Sequence, residues 1–337
     1  MKPAGKLFLA ALLFMMACSP AERTPQLINI RGLVFGTYYS ITYFSEDDEV
    51  YQESIDSLFK AFNNSLSYYE KNSLISRINR NETTEVDEWF ITVFNRSQEI
   101  AEETQGAFDA TVSPLVNAWG FGFSDRSEVP SQQVDSILQF VGYEKIRLEN
   151  NRIVKEDPRV QLDFNAIAKG YAADVVGEFL RSEGVEIYLV DIGGDMVAHG
   201  LKPDGSQWRI GLEKPSGRFD DPQEVGFLVE VKDIGLATSG TYRQYFEEDG
   251  QRYSHTIDPS TGFPVEHNLL SVSVFAEDGM SADAYATAFM VMGLEKARQF
   301  VKKRDELEAF FIFSEAEREE FGTYTSAGLD ILLMEDI

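Results

Sequence analysis

The stretch 254–287, SHTIDPSTGFPVEHNLLSVSVFAEDGMSADAYAT, constrains the fold of this chain more than any other. Its first residues end one predicted strand, Ser-Thr-Gly-Phe-Pro is typical of a turn, and LLSVSVFAED alternates as a second strand does. The segment SADAYATAFMVMG then predicts a helix on which Asp283 and Thr287 are four residues apart. That spacing puts both side-chain oxygens on one face of the helix.

Two interpretations of this pair are open. A carboxylate and a hydroxyl are hard oxygen ligands of the kind that magnesium prefers. Alternatively, Ser281 is an ordinary N-cap, Asp283 is an acid favoured by the helix dipole, and Thr287 bonds its own backbone. For the pair taken alone, the second interpretation describes the commoner situation, so other segments must decide.

The start of the chain has the pattern of a bacterial lipoprotein signal. An apolar run at 7–17, too short to span a membrane, leads to Cys18. Because Cys18 is the only cysteine, a disulfide within the chain is impossible, and lipid attachment explains it better than a catalytic thiol. We predict a signal at 1–18, a tether at 19–27 and one folded domain at 28–337, lipid-anchored in the bacterial cell envelope outside the cytoplasm.

The charge of the chain restricts its partners. Lys and Arg number 30 against 56 Asp and Glu, which gives a formal net charge of -26. This balance argues against nucleic acid or an anionic membrane surface as the partner. An anionic ligand would need a local cation, a helix N-terminus or a backbone nest to offset the repulsion.

The remaining patterns indicate many strands interspersed with helices. Helical spacing of apolar residues predicts helices at 55–66 and 88–104, and Ser131 is the expected cap of a shorter one. Hairpins are predicted at 145–157, turning at Asn-Asn, and at 241–257, turning at Asp-Gly. Without regular βαβ alternation, the expected class is α+β.

The segment QLDFNAIAKGYAADVVGEFLRSE predicts a strand-like start, a loop and then a helix. Asp163, the carbonyl of Ala166 and Lys169 would then cluster near a helix N-terminus, a place that favours phosphate. The alternative is that the small residues of this segment merely permit close packing; they are Ala168, Gly170, Ala172 and Ala173.

Aromatic residues raise a similar choice. The segment AFDATVSPLVNAWGFG is suited either to a loop around an aromatic ligand or to a tightly packed corner. Tyr69 could be a core ring with a hydrated hydroxyl or a platform for a planar ligand. Neither feature decides alone.

Eight segments, in order along the chain after the tether, are FGTYYSI, SYYEKNSLISRIN, AFDATVSPLVNAWGFG, DFNAIAKGYAAD, DIGGD, ATSGTYRQYF, SHTIDPSTGFPV and SADAYATAFMVMG. Together they resemble the FAD:protein FMN transferases, also called the ApbE-type flavin transferases. The resemblance implies a single α+β domain of mixed, mainly antiparallel sheets with packed helices. It implies that FMN moves from FAD to a Thr or Ser hydroxyl of a target protein, a membrane-associated redox protein, with magnesium at the pyrophosphate and release of AMP.

Carried over by position, the resemblance assigns the FAD contacts to Phe35, Tyr69, Ala107, Phe108, Asp109, Asp163, Lys169 and Ile257. It assigns magnesium to the carbonyl of Ala166 and the side chains of Asp283 and Thr287, and it makes His255 the candidate base for the acceptor hydroxyl. The sequence departs from the family pattern at three positions, which are Phe35 for a commoner Met, Asn165 for a frequent Gly and Ala286 for a second Asp. The last would lower the carboxylate count at the metal.

Two rival functions stay open on the sequence. An FAD pyrophosphatase would use water in place of the protein hydroxyl and release FMN and AMP. A non-catalytic flavin-binding lipoprotein would need neither the Asp283 and Thr287 pair nor His255.

Overall fold

The computed structural model describes residues 24–121, 129–214, 224–241, 245–248, 251–254, 256–315 and 321–333. The strands are β1 (Gln26–Val34), β2 (Thr37–Ser45), β3 (Ile146–Glu149), β4 (Arg152–Lys155), β5 (Tyr188–Ile192), β6 (Asp195–His199), β7 (Trp208–Lys214), β8 (Glu224–Val231), β9 (Ile234–Gly240), β10 (Tyr245–Glu248), β11 (Gln251–Ser254), β12 (Leu269–Ala276), β13 (Glu308–Ser314), β14 (Phe321–Thr325) and β15 (Ile331–Leu333). The helices are α1 (Gln52–Leu66), α2 (Leu74–Asn79), α3 (Glu88–Glu103), α4 (Ser113–Ala118), α5 (Ser131–Leu138), α6 (Ala168–Ser182), α7 (Gly279–Met292) and α8 (Leu294–Val301).

A large sheet organises the fold. Within the described residues it has eight strands in the order β1-β2-β5-β6-β9-β12-β13-β14, and every neighbouring pair is antiparallel. One core lies between this sheet and the helices, and a second lies between it and a smaller sheet of β15, β8 and β7. The central strand β12 is therefore buried on both faces. The predicted α+β class with mainly antiparallel sheets is confirmed.

The β1–β2 hairpin explains how Phe35 is displayed. Val34 pairs with Thr37, so the loop consists of Phe35 and Gly36, with φ angles of 52° and 76°. Two positive φ values are what a tight two-residue hairpin loop requires. Such a backbone is unusual for a bulky residue, and the ring of Phe35 is held by Phe59 and Phe62 at centroid distances of 5.6 and 5.5 Å.

Helices α6 and α7 meet through glycines. A Cβ atom added to Gly170 would lie 2.0 Å from the carbonyl oxygen of Gly279. Asp174 of α6 accepts hydrogen bonds from the N–H groups of Gly279 and Met280, each at 2.8 Å, and so satisfies donors that a helix start leaves open. Small residues in α6 thus permit close packing, and the same packing brings the start of α6 to α7.

We expect Gly170→Ala to destabilise the protein. The added methyl group would overlap backbone, which cannot rotate away, so the free energy of unfolding should fall by about 1–3 kcal/mol. This outweighs the gain of about 1 kcal/mol that alanine contributes inside a helix. Denaturant unfolding measures the change, with Gly177→Ala as the control because its Cβ would meet a side chain, that of Tyr188, at 2.7 Å. Equal losses in both variants would contradict the argument.

Some local predictions were wrong. Gln161–Asp163 forms no strand; the side chain of Asn79 instead bonds the backbone N–H and carbonyl of Leu162 at 2.8 and 2.7 Å. The helix cap at α7 is Asp278, which accepts from the N–H of Ser281 at 2.6 Å.

The remaining differences concern Ser281, Ser131 and four short elements. Ser281 lies inside α7 and accepts a hydrogen bond from Arg96, and Ser131 is the first residue of α5 rather than its cap. The elements α2, α4, β6 and β14 were not predicted.

No helix among the described residues is long and apolar enough to cross a membrane. Cys18 and the predicted signal at 1–18 lie outside the described residues.

Candidate active site

A cavity of about 520 Å³ lies where the β1–β2 hairpin, the start of α6, the part of α7 from Asp283 to Val291 and the loop 256–265 come together. The predicted site residues that line it are Phe35, Tyr69, Ala107, Phe108, Asp109, Asp163, Ala166, Lys169, Ile257, Asp283 and Thr287. His255 lies outside the described residues, while its neighbours Thr256 and Ile257 line the cavity. Residues from across the chain thus share one space.

Asp283 and Thr287 form part of the polar wall. Asp283 is 5% exposed, and its Oδ2 accepts a hydrogen bond from the N–H of Gly170 at 3.1 Å. Burial and the nearby carboxylate of Asp195 raise the pKa of Asp283 to about 7, while Lys169 acts in the opposite direction. The side-chain hydroxyl of Thr287 makes no hydrogen bond to another described residue, so the expected bond from that hydroxyl to its own helix is not seen.

Lys169 pairs with an acid that the sequence analysis missed. Its Nζ atom contacts Oδ2 of Asp195, whose side chain is 2% exposed at the start of β6. Asp195 is the last residue of the segment DIGGD, and the turn before it contains Gly193 and Gly194 with positive φ values. When Asp195, Asp283 and Lys169 are all ionised, two negative charges face one positive charge, and the cluster favours a further cation.

Tyr69 belongs to the apolar wall of the cavity, and its exposure decides between a core ring and a platform for a planar ligand. Its side chain is 64% exposed, and its hydroxyl accepts a hydrogen bond from Nδ2 of Asn165 at 3.3 Å. A core ring is therefore wrong, and Tyr69 presents an aromatic face at the cavity. Asn165 is not among the residues with a positive φ, so its backbone does not require the glycine that is frequent at this position in the family.

The acids of the opposite wall have local partners. The carboxylate of Asp109 accepts from the N–H and hydroxyl of Thr111, both at 2.7 Å, and from the N–H of Tyr143 at 2.9 Å. Asp163 accepts from the N–H of Asn165 at 2.8 Å. Burial raises the pKa of both acids to about 6. Both carboxylates hold loop backbone, which is the packed-corner interpretation, although Ala107 and Phe108 face the cavity as a ligand wall would.

The loop 256–265 is fixed from outside the cavity. Ile257 bridges to Pro264, and Nε1 of Trp119 donates to the carbonyl of Gly262 at 2.8 Å. Ile257 is buried with Leu115 of α4 and apolar residues of α5. The position of Thr256 and Ile257 at the cavity thus depends on packing that the sequence does not show.

The described residues contain no group of three or more His, Cys, Asp or Glu side chains that could hold a metal ion. The predicted magnesium ligands are of another kind, with one carboxylate, one hydroxyl and one backbone carbonyl.

The segments that form the cavity also match a known protein family. Residues 35–311 match the ApbE family. The chain belongs to the ApbE family. Its cavity residues from Phe35 to Thr287 all lie within the matched range.

Similar proteins match over most of their length. An FAD:protein FMN transferase of Vibrio cholerae serotype O1 is 39% identical over 297 residues, covering 86% of this chain and 87% of that protein. One from Escherichia coli K12 is 35% identical over 335 residues, covering 94% of each. The solved structure of the flavin transferase ApbE from Vibrio cholerae superposes with a TM-score of 0.79 at 35% identity, covering 90% of this chain and 98% of that one.

In this ApbE-family chain, the sequence analysis missed two acids that organise the site. Asp195 pairs with Lys169, and Asp174 holds the start of α7, the helix that carries Asp283. Both acids lie in segments quoted for the resemblance, DIGGD and DFNAIAKGYAAD. A carboxylate next to small residues in such segments was the available signal.

Proposed function

We propose that this chain is an FAD:protein FMN transferase, which moves FMN from FAD to a Thr or Ser hydroxyl of a target protein and releases AMP. One observation carries the proposal: a single cavity joins an aromatic wall at Phe35, Tyr69 and Phe108 to Lys169 and the Asp283 and Thr287 pair. Its volume of about 520 Å³ falls in the range of small-molecule sites, roughly 300–1,000 Å³. The names of the relatives support the same activity.

The apolar wall of the cavity binds the ring systems of FAD, and the polar wall binds its pyrophosphate. Its flat ring systems pack against Phe35, Tyr69, the segment 107–109 and Ile257, which line the apolar part. Its pyrophosphate lies at the start of α6, where the helix N-terminus and Lys169 offset negative charge. Asp195 holds the lysine in place, so in this acidic chain the cation at the phosphates is fixed before the substrate arrives.

Magnesium suits the remaining oxygens. Ala166, Asp283 and Thr287 all line the cavity. A backbone carbonyl, a carboxylate and a hydroxyl are donors of the type that this ion prefers. The excess negative charge of Asp195 and Asp283 over Lys169 adds a reason for a cation here. When bound, magnesium neutralises charge on the reacting phosphates.

The reaction is a displacement at phosphorus. The hydroxyl oxygen of the target forms a bond to the FMN phosphorus, the bond from that phosphorus to the AMP oxygen breaks, and AMP leaves with the electron pair. His255 accepts the hydroxyl proton, as a neutral imidazole with an ordinary pKa of about 6.5 can near neutral pH. This role is proposed from the resemblance and from the adjacent Thr256 and Ile257 at the cavity.

The test combines purified protein, FAD, magnesium and a membrane fraction of the source bacterium, followed by mass spectrometry of the proteins and small molecules. Transfer gives FMN covalently attached to Thr or Ser together with released AMP. Free FMN with AMP and no modified protein would instead establish an FAD pyrophosphatase. FAD that is bound but unchanged would establish a non-catalytic flavin-binding protein.

We also propose that Cys18 carries a lipid after removal of the signal, that 19–27 is a tether and 28–337 the enzyme domain, and that the target is a membrane-associated redox protein of the cell envelope. Cys18→Ser should then move the protein from the membrane to the soluble fraction of a bacterial host, because the anchor is lost. Fractionation and immunoblotting measure this. Wild-type protein found wholly in the soluble fraction would contradict the proposal.

A further inference from the structure

A second, shallower groove of about 650 Å³ runs beside β1. One side is formed by the end of β1 and the hairpin tip, residues 31–36. The other side is a stripe of α1 that contributes five lining residues; they are Gln52, Asp56, Phe59, Lys60 and Asn63. A groove between a strand edge and a helix has the shape that binds extended peptides.

The strand in this groove has a free edge. β1 is the first strand of the large sheet, and in the described part of the chain it pairs only with β2. Val34 and Thr37 close the hairpin and therefore form a hydrogen-bonded pair. Alternation along an antiparallel ladder then directs the N–H and carbonyl groups of alternate residues toward the free edge; they are Leu33, Arg31, Asn29 and Leu27. Leu33 is also 87% exposed.

The groove adjoins the active-site cavity. Phe35 and Asn63 line both spaces. An extended segment lying along β1 toward the hairpin tip would thus arrive at the cavity wall. Gly36 lines the same side and has open space where a side chain would stand, which leaves the backbone of the hairpin tip uncovered.

The charge of the groove differs from that of the whole chain. Lys60 is exposed and has no ion-pair partner among the described residues, and Arg31 bonds only the neutral side chain of Asn29 there. The one acid, Asp56, accepts from Tyr39 at 2.6 Å and from Gln52 at 3.1 Å. Two cations against one acid make this edge locally basic in a chain of net charge -26.

Building on the proposed transfer activity, we propose that this groove is the docking site of the acceptor protein. An extended, neutral or acidic segment of the acceptor pairs with β1 as an added strand and leads its Thr or Ser hydroxyl past Phe35 into the cavity. Main-chain hydrogen bonds supply affinity in this mode of recognition, and side-chain pockets supply selectivity.

The test removes an edge donor without unfolding the strand. Proline is tolerated where a strand N–H faces outward at an edge, so Leu33→Pro removes one edge donor inside the groove. Leu27→Pro makes the same exchange at an exposed leucine of β1 outside the groove lining, removes an equivalent outward donor, and is the matched control. The probe is a synthetic peptide of the segment that mass spectrometry finds modified with FMN in the transfer experiment.

Leu33→Pro should raise the KM for this peptide about three- to tenfold, the effect of losing about one hydrogen bond, with unchanged FAD affinity. Leu27→Pro should leave both values as in wild type. A wild-type KM in Leu33→Pro, or an equal rise in Leu27→Pro, would overturn the docking site.

If Leu33→Pro disturbs FAD binding through the hairpin tip, a second variant tests the docking site. Lys60→Glu reverses a groove charge on α1 without touching β1, and it should also raise the KM, whereas Lys296→Glu on α8 should not. Equal KM values for these two variants would then reject the proposal. If the wild-type protein forms dimers that Leu33→Pro dissociates into monomers, the edge of β1 binds a second copy of the chain, and the docking proposal is overturned. If wild-type protein yields only free FMN, the proposed function is wrong and the groove proposal falls with it.

Discussion

Asp283→Ala should abolish magnesium-dependent FAD turnover while leaving the fold intact. The substitution removes the only carboxylate among the proposed magnesium ligands, and disturbing even a second-sphere partner of a metal typically costs 10–100-fold in affinity. We therefore expect magnesium affinity, measured by calorimetry, to fall by more than about 100-fold. Activity should fall with it at limiting magnesium.

The control for this prediction is Asp278→Ala in the same helix. Asp278 caps α7 and does not line the cavity, so its loss should cost about 1 kcal/mol of stability and leave magnesium affinity unchanged. A protein with Asp283→Ala that keeps wild-type turnover at limiting magnesium would contradict the metal assignment.

The wild-type protein provides a pH test of the same assignment. A carboxylate must lose its proton to bind a metal, and burial raises the pKa of Asp283 to about 7. Protons therefore compete with magnesium below that pH. Apparent magnesium affinity should fall as pH decreases from about 8 to 6.

The elements that the sequence predicted correctly have a local cause. The hairpin at 145–157 turns at Asn150 and Asn151, whose φ angles are 49° and 58°, and asparagine adopts such angles more readily than most residues. Long periodic segments such as α1 and α3 also matched their predicted limits within three residues. In each case the signal and the structure occupy the same few residues.

The missed elements depend on partners far away in the chain. Gln161–Asp163 has a strand-like sequence, but its backbone is bonded by the side chain of Asn79 instead of a neighbouring strand. The short β6 follows two glycines and is a strand because β5 and β9 pair with it. Local propensity is a weak guide where such tertiary contacts decide.

The candidate site also combines features with a local sequence signal and features that depend on distant segments. Motifs located the residues that line the cavity, since each motif is continuous in sequence. They did not reveal the pair of Lys169 and Asp195 or the bonds from Asp174 to α7, because both join segments that only the fold brings together. Asp174 and Asp195 were therefore found only from the structure, whereas Asp109, Asp163 and Asp283, which line the cavity, were found from the sequence.

His255→Ala should retain FAD binding and lose FMN transfer by on the order of 10²–10⁴-fold, the usual contribution of a general base. The residue follows β11 directly and precedes Thr256 and Ile257 at the cavity. It is an unsuitable magnesium ligand, because that ion prefers oxygen. The transfer rate of the wild-type enzyme should also fall as pH drops below about 6.5, where an ordinary histidine becomes protonated.

Measuring FAD affinity and transfer rate on the same variant separates a base from a binding residue. If weaker FAD binding accounts for the whole loss of rate in His255→Ala, the side chain only orients the substrate, and another group must accept the proton. His199→Ala is the matched control, since His199 lies beside Asp233 at 3.0 Å and does not line the cavity. We expect His199→Ala to transfer FMN at the wild-type rate. A large loss of transfer rate that is confined to His255→Ala, with unchanged FAD affinity, therefore identifies the base.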